Sequence, residues 1–92
     1  MSIPTMQERI ETKFGEEMSL IELKLNHAIL TGYRHTNNSG QYYYETVIGD
    51  YWPDEELTRW ITDKYLEAGW ILEFNRDTDV SNDTTVQIFK HI

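Results

Sequence analysis

The sequence predicts an α+β domain with the element order α-β-β-α-β-β, in which two helices pack on one face of a four-stranded antiparallel sheet. Apolar residues recur at helical spacing near the start of the chain and again after Pro53. Each of these segments precedes two stretches rich in aromatic and β-branched residues, which favour strands. Polar connections within each pair of stretches predict hairpins, and hairpins build an antiparallel sheet. The 92 residues are enough for a single domain, residues 1–92.

The first element is predicted as a helix over residues 5–27. Thr5 and Glu8 have the spacing of a capping box, in which each side chain bonds the other residue's backbone N–H. Steps of three or four separate the apolar residues Met6, Ile10, Phe14, Met18, Ile21, Leu25 and Ile29. Gly15 costs about 1 kcal/mol relative to alanine in a helix, so a break there is an alternative. Residues 21–26 alternate between apolar and polar, which leaves a strand open as a second interpretation of residues 16–27.

A hairpin is expected next, with strands over residues 28–35 and 41–49. Between them, residues 36–40 are rich in asparagine, serine and glycine, which favour turns. Residues 42–44 are three consecutive tyrosines, and aromatic residues suit a pleated surface.

The second helix is predicted to begin at Pro53, a residue favoured at the first helical position. The acids at 54–56 complement the positive end of the helix dipole. Leu57, Trp60, Ile61, Tyr65 and Ala68 form its apolar stripe. Gly69 is the expected stop, because glycine readily adopts the left-handed conformation that ends many helices.

The last pair of strands is predicted over residues 70–74 and 84–89, joined by a polar loop. Oxygen-bearing side chains at alternate positions of residues 77–83 resemble the start of a calcium-binding loop. That pattern requires glycine at its sixth position and glutamate at its twelfth, where this chain has Asn82 and Ile88. A hairpin tip is therefore the preferred interpretation.

Net charge is the most informative property of the composition. Sixteen acids and eight bases give −8, and the distribution is uneven. Residues 1–34 hold five acids and four bases, whereas residues 35–92 hold eleven acids and four bases. Direct binding to nucleic acid or to an anionic membrane is disfavoured by this balance, and a basic partner is favoured. The three tyrosines could stack nucleobases, but no lysine or arginine occurs between Arg34 and Arg59 to hold a phosphate backbone.

Catalytic and metal-binding patterns are not found in the sequence. There is no cysteine, and the histidines at 27, 35 and 91 lack the spacing of metal ligands. No phosphate-binding glycine loop or nucleophile elbow occurs. We therefore expect no catalytic residue, no metal and no cofactor. The absence of an apolar leader or spanning segment, together with the absence of cysteine, predicts a cytoplasmic protein.

Carboxylates in the C-terminal part are the candidate binding residues. Within the second helix, Glu56, Asp63 and Glu67 are spaced seven and four apart, so they share a side, which we expect to be solvated and opposite Trp60. The full candidate set comprises Glu45, Asp50, Asp54, Glu55, Glu56, Asp63, Glu67, Asp77, Asp79 and Asp83.

The whole chain resembles the small anti-restriction proteins of T-even-type phages. The resemblance rests on length, acidity, the opening Met1-Ser2-Ile3-Pro4 before an amphipathic helix, the helix start at residues 52–56 and the aspartate-rich tip. It implies a dimeric mimic of double-stranded DNA. The implied target is a host restriction nuclease of the McrBC type, which attacks DNA with modified cytosine. A resemblance of this kind transfers no individual residue.

Three functional hypotheses follow. In the first, the protein is a DNA mimic that forms a homodimer and inhibits a DNA-binding host protein by occupying its DNA-binding groove. In the second, it is an adaptor that binds proteins through aromatic residues or a sheet edge, with weak dependence on salt. A small enzyme, the third and least favoured hypothesis, requires a concave site with perturbed carboxylates.

Overall fold

A computed structural model describes residues 2–76 and 83–91. It contains helix α1 (Met6–Thr31), strands β1 (His35–Thr36) and β2 (Tyr42–Gly49), helix α2 (Glu55–Glu67), and strands β3 (Trp70–Arg76) and β4 (Thr84–Lys90). The strands form an antiparallel sheet in the order β1-β2-β4-β3. The predicted fold class and element order are confirmed. No helix in the described ranges is long and apolar enough to cross a membrane.

Helix α1 begins as predicted and continues four residues beyond the predicted end. The Thr5 hydroxyl accepts a hydrogen bond from the Glu8 backbone N–H at 3.1 Å. Ile21 and Leu25 are buried, but Leu23 between them is 66% exposed, whereas a strand would place all three on one face, so the alternative strand over residues 21–26 is wrong. The helix is interrupted at Phe14, whose backbone is not helical (φ −124°, ψ 17°). The predicted break beside Gly15 is thus observed as a kink.

The first hairpin is much shorter than predicted. Residues 28–31 belong to α1, so the predicted strand over residues 28–35 is wrong except at His35, and β1 also includes Thr36, which was predicted in the turn. Ala28 is buried and Ile29 packs against the core. These contacts favour the helical conformation for the end of α1. Asn37 forms the turn before β2: its side-chain oxygen accepts hydrogen bonds from the backbone N–H groups of Ser39 and Gln41.

Helix α2 begins at Glu55 rather than at Pro53. Asp54 is its N-cap, and its carboxylate accepts a hydrogen bond from the Glu56 backbone N–H at 2.8 Å. Pro53 precedes this cap and is buried. The aspartate determines the start because its side chain satisfies a backbone donor of the first turn, which proline cannot do. The helix ends at the predicted place, where Gly69 adopts a φ of +96°.

The hydrophobic core lies between the two helices and one face of the sheet. Both helices contribute, with Ile10, Ile21 and Leu25 from α1 and Leu57, Ile61 and Tyr65 from α2. Along β4 the side chains at even positions up to Ile88, including Val86, are fully buried, whereas those at odd positions are only half-buried. Because successive side chains of a strand point to opposite faces, the odd positions form an outer sheet face away from both helices.

Candidate acidic binding surface

Two of the predicted acids, Asp63 and Glu67, lie in a groove between α1 and α2. We call this the acidic groove; it is lined by Gln7, Glu11, Met18, Trp60, Asp63, Lys64 and Glu67. Asp63 and Glu67 are exposed, and Trp60 is half-buried between them and α1. The expectation that these acids lie opposite Trp60 is wrong. Positions 60, 63 and 67 are spaced three and four apart, which places them on the same side of a helix.

Lys64, which also lines the acidic groove, does not neutralise the carboxylates of Asp63 and Glu67. The Lys64 ammonium is paired with Glu22 on α1, with 2.8 Å between Nζ and Oε1. Among the residues that the structure describes, no basic group lies within 4 Å of the carboxylates of Asp63 and Glu67. These carboxylates are therefore available to a cationic partner. Glu11 adds a third carboxylate to the groove, although its Oε1 accepts a hydrogen bond from the Gln7 amide at 3.0 Å.

The first turn of α2 is a different environment, because arginines neutralise two of its three acids. Arg9 binds both oxygens of Glu56, with 2.5 Å from Nε to Oε2 and 2.9 Å from Nη2 to Oε1. This hydrogen bond and charge hold the pKa of the Glu56 carboxyl below its usual range, and the same contact raises the pKa of Arg9. Glu55 forms a looser pair with Arg59 at 3.3 Å. Asp54 has its carboxylate engaged in capping.

Glu45 lies on the outer sheet face, because it alternates with Tyr44 and Thr46, which are less exposed and face the helices. Its carboxylate accepts a weak hydrogen bond from Gln87 at 3.3 Å. Glu73 is paired in register on the other side of Gln87. Glu45 and the acids of α2 therefore lie on opposite sides of the molecule, and one flat partner surface cannot contact both groups.

The remaining predicted acids do not extend the acidic groove in the described structure. Asp50 is exposed in the bend between β2 and α2. Asp83 is half-buried just before β4. Asp77 and Asp79 lie outside the described residues. The ten candidates thus separate into small groups, and the acidic groove is the place where two of the exposed candidates without a cationic partner in the described ranges, Asp63 and Glu67, line one concave surface.

Aromatic side chains form a row across the outer sheet face, which we call the outer aromatic row: His35, Tyr43 and Phe89. The rings of His35 and Tyr43 stack with centroids 5.3 Å apart, and those of Tyr43 and Phe89 are 5.5 Å apart. Ile71 is paired with Phe89 in register and is 37% exposed. Strand geometry predicts that successive tyrosines face opposite sides of the sheet. The outer aromatic row can be identified only once the strand order is known, because Phe89 joins it through the pairing of β2 with β4 rather than with β3.

No family model, curated protein or solved structure matches the chain. Its function is therefore argued from the surfaces described above.

Proposed function

We propose that the protein is a non-enzymatic inhibitor that competes with DNA for the cationic groove of a DNA-binding protein in the cytoplasm. The resemblance noted in the sequence suggests a host restriction nuclease of the McrBC type as the target. The observation that supports this most is the pair of exposed carboxylates, Asp63 and Glu67, whose neighbouring lysine is bound to Glu22. Lysine and arginine side chains that normally hold phosphates would bind these carboxylates instead.

The charge density of α2 limits how much of a duplex it can imitate. Residues 54–67 hold five acids and two bases, a net charge of −3. At a rise of 1.5 Å per residue these positions span roughly 20 Å, over which a duplex carries about 12 phosphate charges. One copy therefore resembles a short segment of duplex, so the inhibitor would block part of a groove and would gain much of its affinity from electrostatic steering.

Contacts between α1 and α2 hold the proposed surface in place. The Tyr65 hydroxyl donates a hydrogen bond to the Asn26 side-chain oxygen at 2.5 Å, and burial raises the pKa of Tyr65 to about 12. The pairs formed by Lys64 with Glu22 and by Arg9 with Glu56 also join the two helices. Groove carboxylates on helices joined in this way need little ordering when they bind, and that favours affinity.

The test is a competition assay with an McrBC-type nuclease and modified-cytosine duplex DNA. The variant Asp63→Lys/Glu67→Lys changes the net charge by +4 and leaves the Asp54 cap and the Arg9–Glu56 pair intact. We expect it to weaken inhibition by about 10- to 100-fold, because two favourable contacts become repulsive.

The matched control is Glu45→Lys/Glu73→Lys, which makes the same change in net charge on the outer sheet face. We expect it to alter inhibition by less than about threefold, through the long-range field alone. Equal losses in both variants would show that net charge acts without a defined surface. Unchanged inhibition by the folded Asp63→Lys/Glu67→Lys variant would reject the acidic groove as the binding surface.

The outer aromatic row supports a second candidate function, an adaptor that binds other proteins. Strand β3 lies at an edge of the described sheet, so a partner strand could add there. Its residue Ile71 is paired with Phe89 of the outer aromatic row. Such a complex would depend on apolar contacts and would change little with salt. In a search for bound proteins, loss of a partner through Ile71→Glu but not through Asp63→Lys/Glu67→Lys would favour the adaptor.

A further inference from the structure

A cavity lies where β2 and β3 begin and β4 ends, and we call it the cationic cavity. Its volume is about 470 Å³, which is within the range of pockets that hold small molecules. Trp70 is paired with Lys90 in register, and Tyr42 lies beside Lys90 on the other neighbouring strand, because Tyr43 is paired with Phe89. The lining consists of Arg34, Gly40, Gln41, Tyr42, Tyr44, Trp70, Phe89 and Lys90.

Both basic residues of the cationic cavity lack an acidic partner. Within the described ranges, no carboxylate lies within 4 Å of the Arg34 guanidinium or the Lys90 ammonium. The described lining residues also include no acid. Two positive charges thus meet in one cavity of a chain whose net charge is −8. A local positive field of this kind favours a small anion, although the whole protein repels large ones.

An aromatic ring holds Arg34 in place. Its guanidinium carbon lies 4.0 Å from the centroid of the Tyr42 ring, which is a cation–π contact. A guanidinium stacked in this way keeps N–H groups at its edge that can bind two oxygens of one phosphate. Lys90 adds a second positive charge from the neighbouring strand. The two side chains therefore suit a phosphate group better than a singly charged anion.

A second part of the cationic cavity is aromatic. Tyr44 packs edge-on against Trp70, with ring centroids 6.1 Å apart and an angle of 73° between the rings. This contact fixes the indole of Trp70, which remains half-buried and lines the cavity. Aromatic rings of this kind stack nucleobases. The cavity therefore combines a phosphate-binding part with a surface for a planar ring.

We propose that the cationic cavity binds a nucleoside monophosphate, with the phosphate held by Arg34 and Lys90 and the nucleobase stacked on Trp70. The phosphate carries nearly two negative charges at neutral pH, which matches the two bases. A long strand is disfavoured, because its other phosphates would lie over an acidic protein. This binding site goes beyond the proposed function, and it shares no lining residue with the acidic groove.

Titration of AMP into the full chain, followed by NMR of the indole N–H signals of the three tryptophans, tests the proposal. The signal of Trp70, assigned with Trp70→Phe, should shift, whereas those of Trp52 and Trp60 should not. Adenosine and inorganic phosphate should each bind at least about tenfold more weakly than AMP, because each makes only one of the two contacts. A Trp70 signal that millimolar AMP leaves unchanged, or equal binding of adenosine and AMP, would overturn the proposal.

Charge-removing variants test the phosphate contacts by calorimetry. Arg34→Gln should weaken AMP binding by about tenfold or more, and Lys90→Gln by about three- to tenfold. Both side chains are exposed, so the fold should persist, and circular dichroism checks it. The matched control is Arg59→Gln, which removes the same charge from an exposed position on α2 and should change binding by less than about twofold. Equal losses in Arg34→Gln and Arg59→Gln would contradict a defined site.

A single-stranded oligonucleotide without terminal phosphates completes the test. We expect it to bind more weakly than AMP, and tighter binding would show a nucleic-acid surface instead of a nucleotide site. Asp63→Lys/Glu67→Lys should bind AMP within about threefold of the parent, because the acidic groove is not used. Failure of this proposal can therefore be distinguished from failure of the proposed function.

Discussion

The two helices share one core but present different outer sides to solvent. Helix α1 exposes Leu20, Leu23 and Leu30, in the stretch of residues 18–34 that holds one acid and two bases. On α2, the exposed flank carries Asp63 and Glu67, which have no basic partner in the described part of the chain. The difference shows that charge and apolar surface are segregated in this small fold. The two helices therefore differ in the chemistry that they present to solvent.

The largest effect is expected from comparing two leucines of α1 that are two positions apart. Leu25 is fully buried, whereas Leu23 is 66% exposed. Leu25→Ala should lower the free energy of unfolding by about 2–5 kcal/mol. Leu23→Ala should change it by less than about 0.5 kcal/mol. Urea denaturation at low protein concentration measures both values. Equal losses would mean that Leu23 packs within the monomer, and the segregation would not hold.

A smaller effect on stability is expected from the ion pair between Arg9 on α1 and Glu56 on α2. The pair holds the pKa of Glu56 below its usual range in the folded state. Its stabilisation is therefore present above the unfolded pKa of about 4.3 and is lost as the pH falls through the folded pKa. Thermal melting between neutral and acidic pH should show a shallower loss of stability for Glu56→Gln than for the parent.

Glu67→Gln is the control for the pH experiment, because it removes a carboxylate of the same helix that has no ion pair among the described residues. We expect its melting temperature to follow the acid dependence of the parent. If Glu56→Gln and the parent lost stability in parallel below the unfolded pKa, the Arg9 contact would not persist in solution.

The fold was largely predictable because its main signals are local. Gly69, the alternation in β4 and the apolar spacing in both helices each indicate an element without knowledge of the rest. The errors occurred where tertiary contacts decide. Residues 28–31 have a strand-like composition, but Ala28 and Ile29 pack in the core as part of α1. The start of α2 was misplaced by two residues, because Asp54 caps the helix and Pro53 does not begin it.

The candidate surface was only partly predictable. The sequence identifies the acids, but which of them are neutralised depends on pairs distant in the chain, such as Arg9 with Glu56 and Lys64 with Glu22. No sequence pattern predicts these pairs. The exposed leucines Leu20, Leu23 and Leu30, in contrast, form a second apolar series that the sequence contains at helical spacing. This series runs through the same helix as the series that forms the core.

The central claim is that exposed carboxylates of the acidic groove bind a cationic DNA-binding groove. Its most direct test is the affinity of the parent for an McrBC-type nuclease as a function of salt. We predict that affinity falls by about tenfold or more between roughly 50 and 200 mM salt, with a shallower dependence for Asp63→Lys/Glu67→Lys. An affinity that stays constant over this range, or an identical salt dependence in the variant, would contradict the claim.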